Sequence, residues 1–462
     1  MFETVDVPIW LVWLTAIFAA VAALDRVLVP SVRWYFRRRM ERVVARLNRR
    51  LKVPIQPFKL ARRHDMIQRL MYDPKVAEAV SARAHEEGIP ENVVFEEARK
   101  YAREIVPSFS ASAYFGFATR AARWLSTALY RVRLGYVDEA ALEAVRSDAT
   151  VIFVMNHRSN MDYVLVTYLA AERSALSYAV GEWARVWPLS RLISSMGAYF
   201  IRRRSRSTLY RRVLARYVQL ATENGVTQAV FPEGGLSLDG RVGPPKLGLI
   251  SYILADFQPG LSREVVFVPI AINYDRVLED RVLLSAAERG ERKFRFHPFA
   301  LLKYLARQLR RRRRGDLYRF GYASVSFGVP LALSDFMQSA AAPLNEALGR
   351  TLMQRVRDVV PVLPVPVVAS VLLETGDLPR EELDRLVEAR CVALAARGVH
   401  VHVPRDDHGY TAEVGVRALV LRRALIVDGK MLRIRQEEMA LLRFYAASIE
   451  HHIAPVVEFG ET

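Results

Sequence analysis

The sequence VIFVMNHRSNMDY, residues 151–163, changes from apolar to polar at its sixth position. Its first five residues form a continuous apolar run with β-branched members, which predicts a strand buried on both faces of a parallel sheet. Five polar residues follow at 156–160, and an apolar run over 161–171 then predicts a helix. His157 and Asp162 therefore lie at a strand-to-helix turn, where the carboxyl edge of such a sheet presents ligands.

His157 and Asp162 are separated by four residues, a spacing that keeps two side chains apart on a continuous helix. They can meet only if His157 lies in the turn and Asp162 in the first turn of the helix. The carboxylate would then accept from one imidazole nitrogen, fix the tautomer and leave the other nitrogen free as a base. A turn histidine beside an acid that favours the helix dipole explains the pair equally well, so the pair alone leaves both explanations open.

Composition restricts the class of protein. The chain has 462 residues, of which 52% are hydrophobic, so it is long enough for two or three domains and too apolar to be disordered. Its formal net charge of +18 implies a negative partner: anionic lipid, a phosphorylated substrate, an acidic carrier protein or nucleic acid. Cys391 is the only cysteine, which excludes an intramolecular disulfide and a multi-thiolate zinc site.

The N-terminal region predicts a membrane anchor. Residues 7–24 carry no charge, and their number is near the lower limit of about 17–25 residues for a spanning helix. Arginines follow them, so the positive-inside rule predicts a cytoplasmic C-terminal side. Residues 34–51 predict a basic amphipathic helix on the inner leaflet, with its arginines toward lipid phosphate. A buried core helix and a solvated basic helix are the respective alternatives.

Between residues 149 and 333, short apolar strands alternate with helical segments, which predicts an α/β domain with a mainly parallel sheet flanked by helices. The predicted strands are 151–155, 177–180, 198–202, 228–231, 265–273 and 323–329. The predicted regions are 1–53 (anchor and basic helix), 54–135 (N-terminal helical region), 136–335 (α/β domain) and 336–462 (small C-terminal α+β lobe). Further predictions are one or two helices over 110–132, a linker over 359–368, strands at 399–403 and within 416–429, and a closing helix over 435–452.

Four blocks of sequence together resemble the glycerol-3-phosphate acyltransferase family. The first, HRSNMDY at 157–163, contains that family's H-x-x-x-x-D motif. The others follow in the family's order: GAYFIRR at 197–203, FPEGG at 231–235 and VPIAINY at 268–274. The similarity extends to both flanks, including Phe444-Tyr445 and Ile449-Glu450-His451 near the end of the chain. Four blocks in one order are far more specific than the His–Asp pair alone.

The resemblance implies a membrane-bound enzyme of phospholipid biosynthesis that transfers a fatty acyl group from acyl-CoA or acyl-carrier protein to the sn-1 hydroxyl of glycerol 3-phosphate. It implies that His157, oriented by Asp162, is the base, with no cofactor, no metal and no acyl-enzyme. We also expect an open pocket in front of the imidazole. The substrate-binding residues that the resemblance and the nearby cations indicate are Arg158, Ser159, Arg202, Arg203, Glu233, Gly234, Gly235, Arg241, Lys246 and Pro269.

These residues have different expected roles. Guanidinium forks bind phosphate in bidentate geometry, and glycines let backbone N–H groups approach it. Glu233 is expected to hold the glycerol hydroxyls or to brace an arginine, and Pro269 to shape a pocket wall. In the family, arginine, serine and a second arginine usually follow the glycine pair, whereas this chain has LSL at 236–238. Arg241, Lys246 or the arginines at 202–204 are the candidate replacements for the missing phosphate ligand.

Two alternatives to this function remain. Pro232 is similar to the third block of lysophosphatidate acyltransferases, so acylation of 1-acylglycerol 3-phosphate is the nearer one. The more distant one is a catalytically inactive basic protein that binds membrane or nucleic acid. The basic segments lack interleaved exposed aromatics or a reader motif, so we expect anionic membrane lipid and no nucleic acid as a partner. The predicted location is the inner or plasma membrane, with the catalytic domain cytoplasmic.

The sequence lacks the motifs of several other catalytic mechanisms. The sequence has no G-x-S-x-G, which argues against a hydrolase serine, and no H-E-x-x-H, which argues against a zinc protease. It also lacks G-x-G-x-x-G, so a dinucleotide-binding fold is unsupported.

Overall fold

The computed structural model of the protein describes residues 8–24, 29–170, 175–181, 189–202, 205, 207–290, 320–339 and 342–453. The chain divides into two compact units, Met1–Ile55 and Gln56–Thr462. The divisions predicted near residues 135 and 335 stay predictions.

The first unit contains the helices Ile9–Ala23 and Val29–Asn48. The first of these has 15 residues, IWLVWLTAIFAAVAA, and its described side chains are exposed. Among the residues that the structure describes, none of the helices is both long enough and apolar enough to cross a bilayer. The predicted membrane helix is therefore not confirmed. The second helix carries the arginines of the predicted basic segment.

Short helices form the start of the second unit, as the sequence predicts. Their bounds are Pro57–Leu60, Arg63–Met71, Pro74–Glu87 and Glu91–Ile105. The helix Pro74–Glu87 shows why the chain folds this way: the Asp73 carboxylate accepts from Lys75 N at its start, and Gly88 ends it in the left-handed conformation. The apolar faces of these helices share one core with the sheet, in which Val76 and Ala98 belong to the same cluster as Ile152.

Eight of the described strands form the main sheet. They are β1 (Arg131–Val137), β2 (Thr150–Met155), β3 (Ser177–Gly181), β4 (Tyr199–Ile201), β5 (Gln228–Val230), β6 (Val265–Tyr274), β7 (Tyr322–Phe327) and β8 (Leu331–Ala332). The order is β1-β7-β6-β2-β5-β3-β4, with β8 also on β6. The pairs β2–β5, β2–β6, β3–β5, β3–β4 and β1–β7 are parallel, and β6 is antiparallel to β7 and β8. The mainly parallel sheet and the six predicted strands are confirmed.

Helices cover this sheet and connect its strands. They are Thr119–Leu129, Glu139–Glu143, Met161–Ala170, Leu189–Ser195, Thr208–Glu223, Gly248–Leu254, Asp280–Glu288, Leu333–Ser339 and Leu344–Asp358. The strand β2 is buried over its whole length, as its apolar sequence requires.

The edge strand β1 is a correction. The helix predicted over 110–132 is present as the π-helix Ala113–Ala118 and the helix Thr119–Leu129, but the chain then extends into β1. Arg131 N donates to Gly321 O, and β1 continues in register with β7. Four of the seven β1 residues are exposed. The strand therefore lacks the apolar run by which the buried strands are recognised.

The C-terminal region also differs from its prediction. The presumed linker at 359–368 contains the start of a buried helix, Pro364–Thr375, because a proline in the first helical turn forfeits no hydrogen bond. The strand predicted at 399–403 is only a single bridge between Val362 and Val401. Of the strands predicted within 416–429, the part before residue 422 lies in the helix His408–Leu421, and only Leu425–Asp428 is a strand.

A three-stranded antiparallel sheet completes this region, in the order β10 (Leu425–Asp428), β11 (Met431–Ile434) and β9 (Leu378–Pro379). The turn predicted at Asp428-Gly429 joins β10 to β11. The helix Arg380–Ala396 follows β9. The predicted closing helix is broken into the 3-10 turn Gln436–Glu438 and the helices Met439–Ala446 and Glu450–Ile453.

Candidate active site

The catalytic turn, residues 156–162, leaves the sheet at the carboxyl end of β2. Asn156 extends the ladder between β2 and β6 beyond the last strand residue: its Nδ2 donates to Ile272 O over 2.9 Å, and its Oδ1 accepts from Ile272 N over 2.8 Å. The amide thus imitates a backbone peptide and fixes the point at which the turn begins. In the sequence, Asn156 is only the first of the five polar residues at 156–160, so this role was missed.

His157 and Asp162 meet as the sequence requires. His157 Nδ1 lies 2.9 Å from Asp162 Oδ2, and both side chains are buried. The same oxygen accepts from the backbone N–H groups of Arg158 (2.7 Å) and Ser159 (3.0 Å). With Asp162 ionised, Nδ1 carries the proton, and Nε2 keeps the lone pair that a base needs.

Tyr274 is a further member of this cluster. Its hydroxyl donates to Asp162 Oδ1 over 2.6 Å, so both carboxylate oxygens have partners. Tyr274 is the last residue of the fourth block and the last residue of β6, which lies next to β2. The block itself was recognised in the sequence, but nothing in its spacing indicated that the tyrosine reaches the catalytic carboxylate.

The imidazole is covered, contrary to the expectation of an open pocket. His157 is 1% exposed. The Phe231 ring lies against it with a centroid distance of 4.2 Å, and the Tyr163 ring meets it edge-on at 5.4 Å. Little of the imidazole surface is therefore accessible.

Glu233 braces the backbone of the turn rather than an arginine; its expected contact with the glycerol hydroxyls stays a prediction. Its Oε1 accepts from His157 N over 2.9 Å, and its Oε2 accepts from Gly243 N over 3.1 Å. Burial raises the pKa of Glu233 to about 7, although the two backbone donors oppose the shift. The carboxylate ties the catalytic turn to the loop that contains the third block.

Arg158 and Ser159 have partners within the protein. The Arg158 guanidinium is buried, donates to Gly240 O and lies 5.1 Å from the Phe444 ring centroid. The Ser159 hydroxyl donates to Glu279 Oε2 over 2.7 Å. Both residues connect the catalytic turn to its surroundings. Glu279 was missed by the sequence because it lies outside the four blocks.

The predicted phosphate-binding cations are dispersed. Arg202 forms a bidentate ion pair with Glu104 at 2.9 and 2.6 Å, and Arg241 forms one with Glu450 at 2.8 and 3.0 Å. Arg203 lies outside the described residues. Lys246 is the cation at the glycine turn: a methyl group at Gly234 would lie 2.7 Å from its Cδ and 3.0 Å from its Nζ.

The backbone conformation explains why glycine fits at Gly234 and proline at Pro269. Gly234 has φ +66°, in the left-handed region that favours glycine, and Gly235 follows it at a half-buried bend. Pro269 lies within β6 beside Val154, where the other edge of β6 changes partner from β8 to β7. Its missing N–H therefore costs no ladder hydrogen bond. This placement puts Pro269 inside the sheet, one strand from the histidine.

The arrangement of His157 and Asp162 suits a general base. Within the described ranges, no group of three or more His, Cys, Asp or Glu side chains is placed to hold a metal ion. A buried imidazole with one nitrogen fixed by a carboxylate can take a proton from a hydroxyl and return it to a leaving group.

Comparisons with known proteins agree with the block pattern. A family model described as Acyltransferase matches residues 137–273, and one described as glycerol-3-phosphate acyltransferase C-terminal region matches residues 290–456. A glycerol-3-phosphate acyltransferase of Pseudomonas entomophila is 28% identical over 450 residues, which are 90% of this chain and 52% of that protein. One of Pseudomonas syringae pv. tomato is 27% identical over 439 residues, 88% of this chain and 50% of that protein.

The chain thus spans about half the length of the curated relatives it matches. Among solved structures, the 1-acyl-sn-glycerophosphate (LPA) acyltransferase PlsC of Thermotoga maritima is 18% identical, with a TM-score of 0.32. The match covers 64% of this chain and 95% of that one. At this TM-score the likeness carries no weight for the fold.

The raised pKa of Glu233 predicts a pH dependence of stability. Between pH 4.5 and about 7, the unfolded chain releases a proton that folded Glu233 keeps, so rising pH favours unfolding. Across that window, the free energy of unfolding of the native chain should fall by on the order of 1–3 kcal/mol more than that of Glu233→Gln. Urea titrations at several pH values measure this. Glu346→Gln, at an exposed helical site, should keep the native slope; equal slopes for all three proteins would contradict the assignment.

Proposed function

Because this chain belongs to the glycerol-3-phosphate acyltransferase family, we propose that it transfers a fatty acyl group from a thioester donor to the sn-1 hydroxyl of glycerol 3-phosphate. The observation that carries the proposal is the 2.9 Å contact between His157 Nδ1 and Asp162 Oδ2 within the family's H-x-x-x-x-D motif. The donor is acyl-CoA or acyl-carrier protein, and the reaction requires no cofactor.

The proposed chemistry uses the histidine twice. His157 Nε2 takes the proton of the hydroxyl while the oxygen attacks the thioester carbonyl carbon. The tetrahedral intermediate then expels the thiolate, which receives the proton from the imidazolium. Asp162 stabilises the imidazolium, and Tyr274 holds the second carboxylate oxygen in place. Base catalysis of this kind contributes roughly 10²–10⁴-fold. A thioester is already activated, so no acyl-enzyme is needed.

The burial of the His157 imidazole favours the proposed reaction. With Phe231 and Tyr163 against the imidazole, little bulk water reaches the base. Excluding water protects the thioester from hydrolysis.

Lys246 is proposed as the phosphate ligand of the acceptor. Lys246 crosses Gly234 in the third block, the block in which the family carries its arginines. An ammonium group at this turn, beside backbone N–H groups, fits a phosphate.

A second candidate function is acylation of 1-acylglycerol 3-phosphate. It is favoured by Pro232 and by the leucines at 236 and 238, which stand where the family usually has arginines. Apolar side chains at this position suit an acceptor that already carries an acyl chain.

The first unit is proposed to bind an anionic membrane at its cytoplasmic face. The apolar helix Ile9–Ala23 exposes Trp10 at 65% and Trp13 at 67%, and the following helix Val29–Asn48 is rich in arginine. Exposed apolar side chains followed by a basic helix are typical of attachment to lipid, with arginines near the phosphates. Attachment would deliver the apolar product directly to the bilayer.

We predict that His157→Ala and Asp162→Asn each lower acyl transfer at least 100-fold, because the base or its orienting charge is lost. Radiolabelled acyl-CoA is incubated with each acceptor in turn, and folding is checked by circular dichroism. His452→Gln, at another buried histidine, should keep its activity. Turnover retained by His157→Ala would contradict the mechanism. Product formed only from the lysolipid would replace the first function by the second, and no product from either acceptor would favour an inactive basic protein.

We predict that Lys246→Met raises the KM for glycerol 3-phosphate by about 10-fold or more, since a charge-assisted hydrogen bond contributes about 1.5–3 kcal/mol. The kcat should change much less, because the base is untouched. Steady-state kinetics at saturating acyl-CoA measure both. Lys430→Met, which removes an exposed lysine paired with Glu381, is the matched control. An unchanged KM would exclude Lys246 as the phosphate ligand.

We predict that Trp10→Asp/Trp13→Asp weakens binding to phosphatidylglycerol vesicles at least 10-fold, because each buried large apolar side chain contributes about 1.5–3 kcal/mol. Co-sedimentation at several salt concentrations measures it, and rising salt should weaken the native chain too. Trp124→Asp is the control, since Trp124 is 53% exposed in the second unit. If the double variant sediments like the control, the first unit is not the lipid-binding element.

A further inference from the structure

A cationic cavity lies outside the catalytic turn. It has a volume of about 410 Å³, and its wall comes from β1, from the start of β7 and from the segment before the helix His408–Leu421. The side chains that concern its chemistry are those of Arg131, Arg133, Arg405, Asp406, His402 and Tyr410. None of them belongs to the catalytic turn or to the third block.

The three arginines of this cavity are held by aromatic rings. The Arg131 and Arg133 guanidinium carbons lie 5.6 and 5.5 Å from the centroid of Tyr322, and that of Arg405 lies 4.1 Å from the centroid of Tyr410. Stacking of this kind restrains a guanidinium while leaving its N–H edge available. The cavity is therefore organised before any ligand arrives.

These arginines also lack the usual counter-charges. In the part of the chain that the structure describes, Arg131 and Arg133 donate to a tyrosine hydroxyl and a backbone carbonyl, and none of the three forms an ion pair with a carboxylate. Arginines elsewhere in this lobe pair at short range, as Arg385 does with Glu382 and Arg433 with Asp428. Three like charges around one cavity repel one another unless an anion joins them.

The acidic and titratable side chains around the three arginines determine the net charge of the cavity. Asp406 is the carboxylate of the lining, and Asp275 lies nearby in the adjoining cavity with its oxygens occupied by the N–H groups of Tyr322 and Val365. Burial, followed by Arg133 and His400, lowers the pKa of His402 to about 4, so this ring is neutral at physiological pH. Among the side chains that line the cavity, three guanidinium groups against Asp406 leave two net positive charges, while Asp275 interacts with Arg131 from the adjoining cavity.

The segment that supplies Arg405 is strained. Arg405 has φ +61° and Asp406 has φ +55°, the left-handed region that non-glycine residues seldom enter. Strain of this kind persists where the surroundings fix it, and it is common at ligand-binding positions. Among the described residues, the buried Nε2 of His402 also has no hydrogen-bond partner. The cavity wall therefore contains a polar atom whose hydrogen bond a ligand can supply.

We propose that this cavity binds a phosphomonoester dianion, separately from the catalytic site. Two net charges match the dianion, the guanidinium N–H edges match its oxygens, and the volume exceeds that of a phosphate group, which leaves room for the organic part of the ligand. The cavity lies at the same edge of the sheet as His157, since Tyr322 begins β7 where β6 ends. Small phosphorylated metabolites and the 3′-phosphate of CoA share this chemistry.

Arginine footprinting of the full chain tests the proposal at the site itself. The protein is treated with phenylglyoxal alone or with 5 mM glycerol 3-phosphate, CoA, dephospho-CoA or inorganic phosphate, and labelling is mapped by mass spectrometry. We expect glycerol 3-phosphate, CoA or both to reduce labelling of Arg133 and Arg405 at least fivefold. Labelling of Arg385 and Arg433 should stay constant. Protection by CoA alone would identify the acyl donor as the source, and protection by glycerol 3-phosphate alone a small metabolite.

A binding measurement gives a second test. Isothermal titration of the protective ligand into Arg133→Ala/Arg405→Ala should show at least a 10-fold loss of affinity for one class of site, whereas Arg385→Ala/Arg433→Ala, with the same loss of charge in exposed positions, should bind like the native chain. The proposal is overturned if no phosphomonoester protects Arg133 and Arg405, if dephospho-CoA protects them as well as CoA does, or if the two double variants bind alike.

Discussion

The carboxylate of Asp162 is the constraint on which the catalytic turn depends. One of its oxygens accepts from the imidazole of His157 and from two backbone N–H groups of the turn, and the other accepts from the hydroxyl of Tyr274. These contacts join the start of a helix, the end of a central strand and the residues between them. Because a buried carboxylate is costly unless its oxygens are occupied, the same bonds that orient the base also hold the turn in one conformation.

The rest of the second unit supports this turn from several directions. Asn156 ties it to β6, Glu233 ties it to the third-block loop, and Arg158 reaches the C-terminal helix Met439–Ala446. Below the sheet, the N-terminal helices share a continuous core with the central strands. Of the residues that the resemblance indicates as substrate-binding, Arg158, Ser159 and Glu233 hold the turn. Arg202 and Arg241 instead pair with glutamates outside it.

The sequence predicted the strands of the sheet because their apolar runs reflect burial on both faces. The spacing of His157 and Asp162 left their contact open, and the four-block resemblance to the family predicted it. It did not predict β1, which is half exposed and alternates with arginines, or the helix Pro364–Thr375, whose prolines resemble a linker. The partners of Arg202 and Arg241 lie 98 and 209 residues away in sequence, so no local pattern reveals that these cations are already paired. Long-range pairing also explains the missed Tyr274 and Glu279.

The contact between Gly240 and Phe444 limits how this protein can be taken apart. Gly240 has φ +92°, and any side chain there would collide with the Phe444 carbonyl oxygen, while Arg158 donates to Gly240 from below. The regions matched by the two family models, which also meet where β6 pairs with β7, thus form a seam that leaves room only for backbone at Gly240. A chimera that joins the first region to the second region of a distant relative would have to keep this close approach of the two backbones. We therefore expect the two regions to be inherited together.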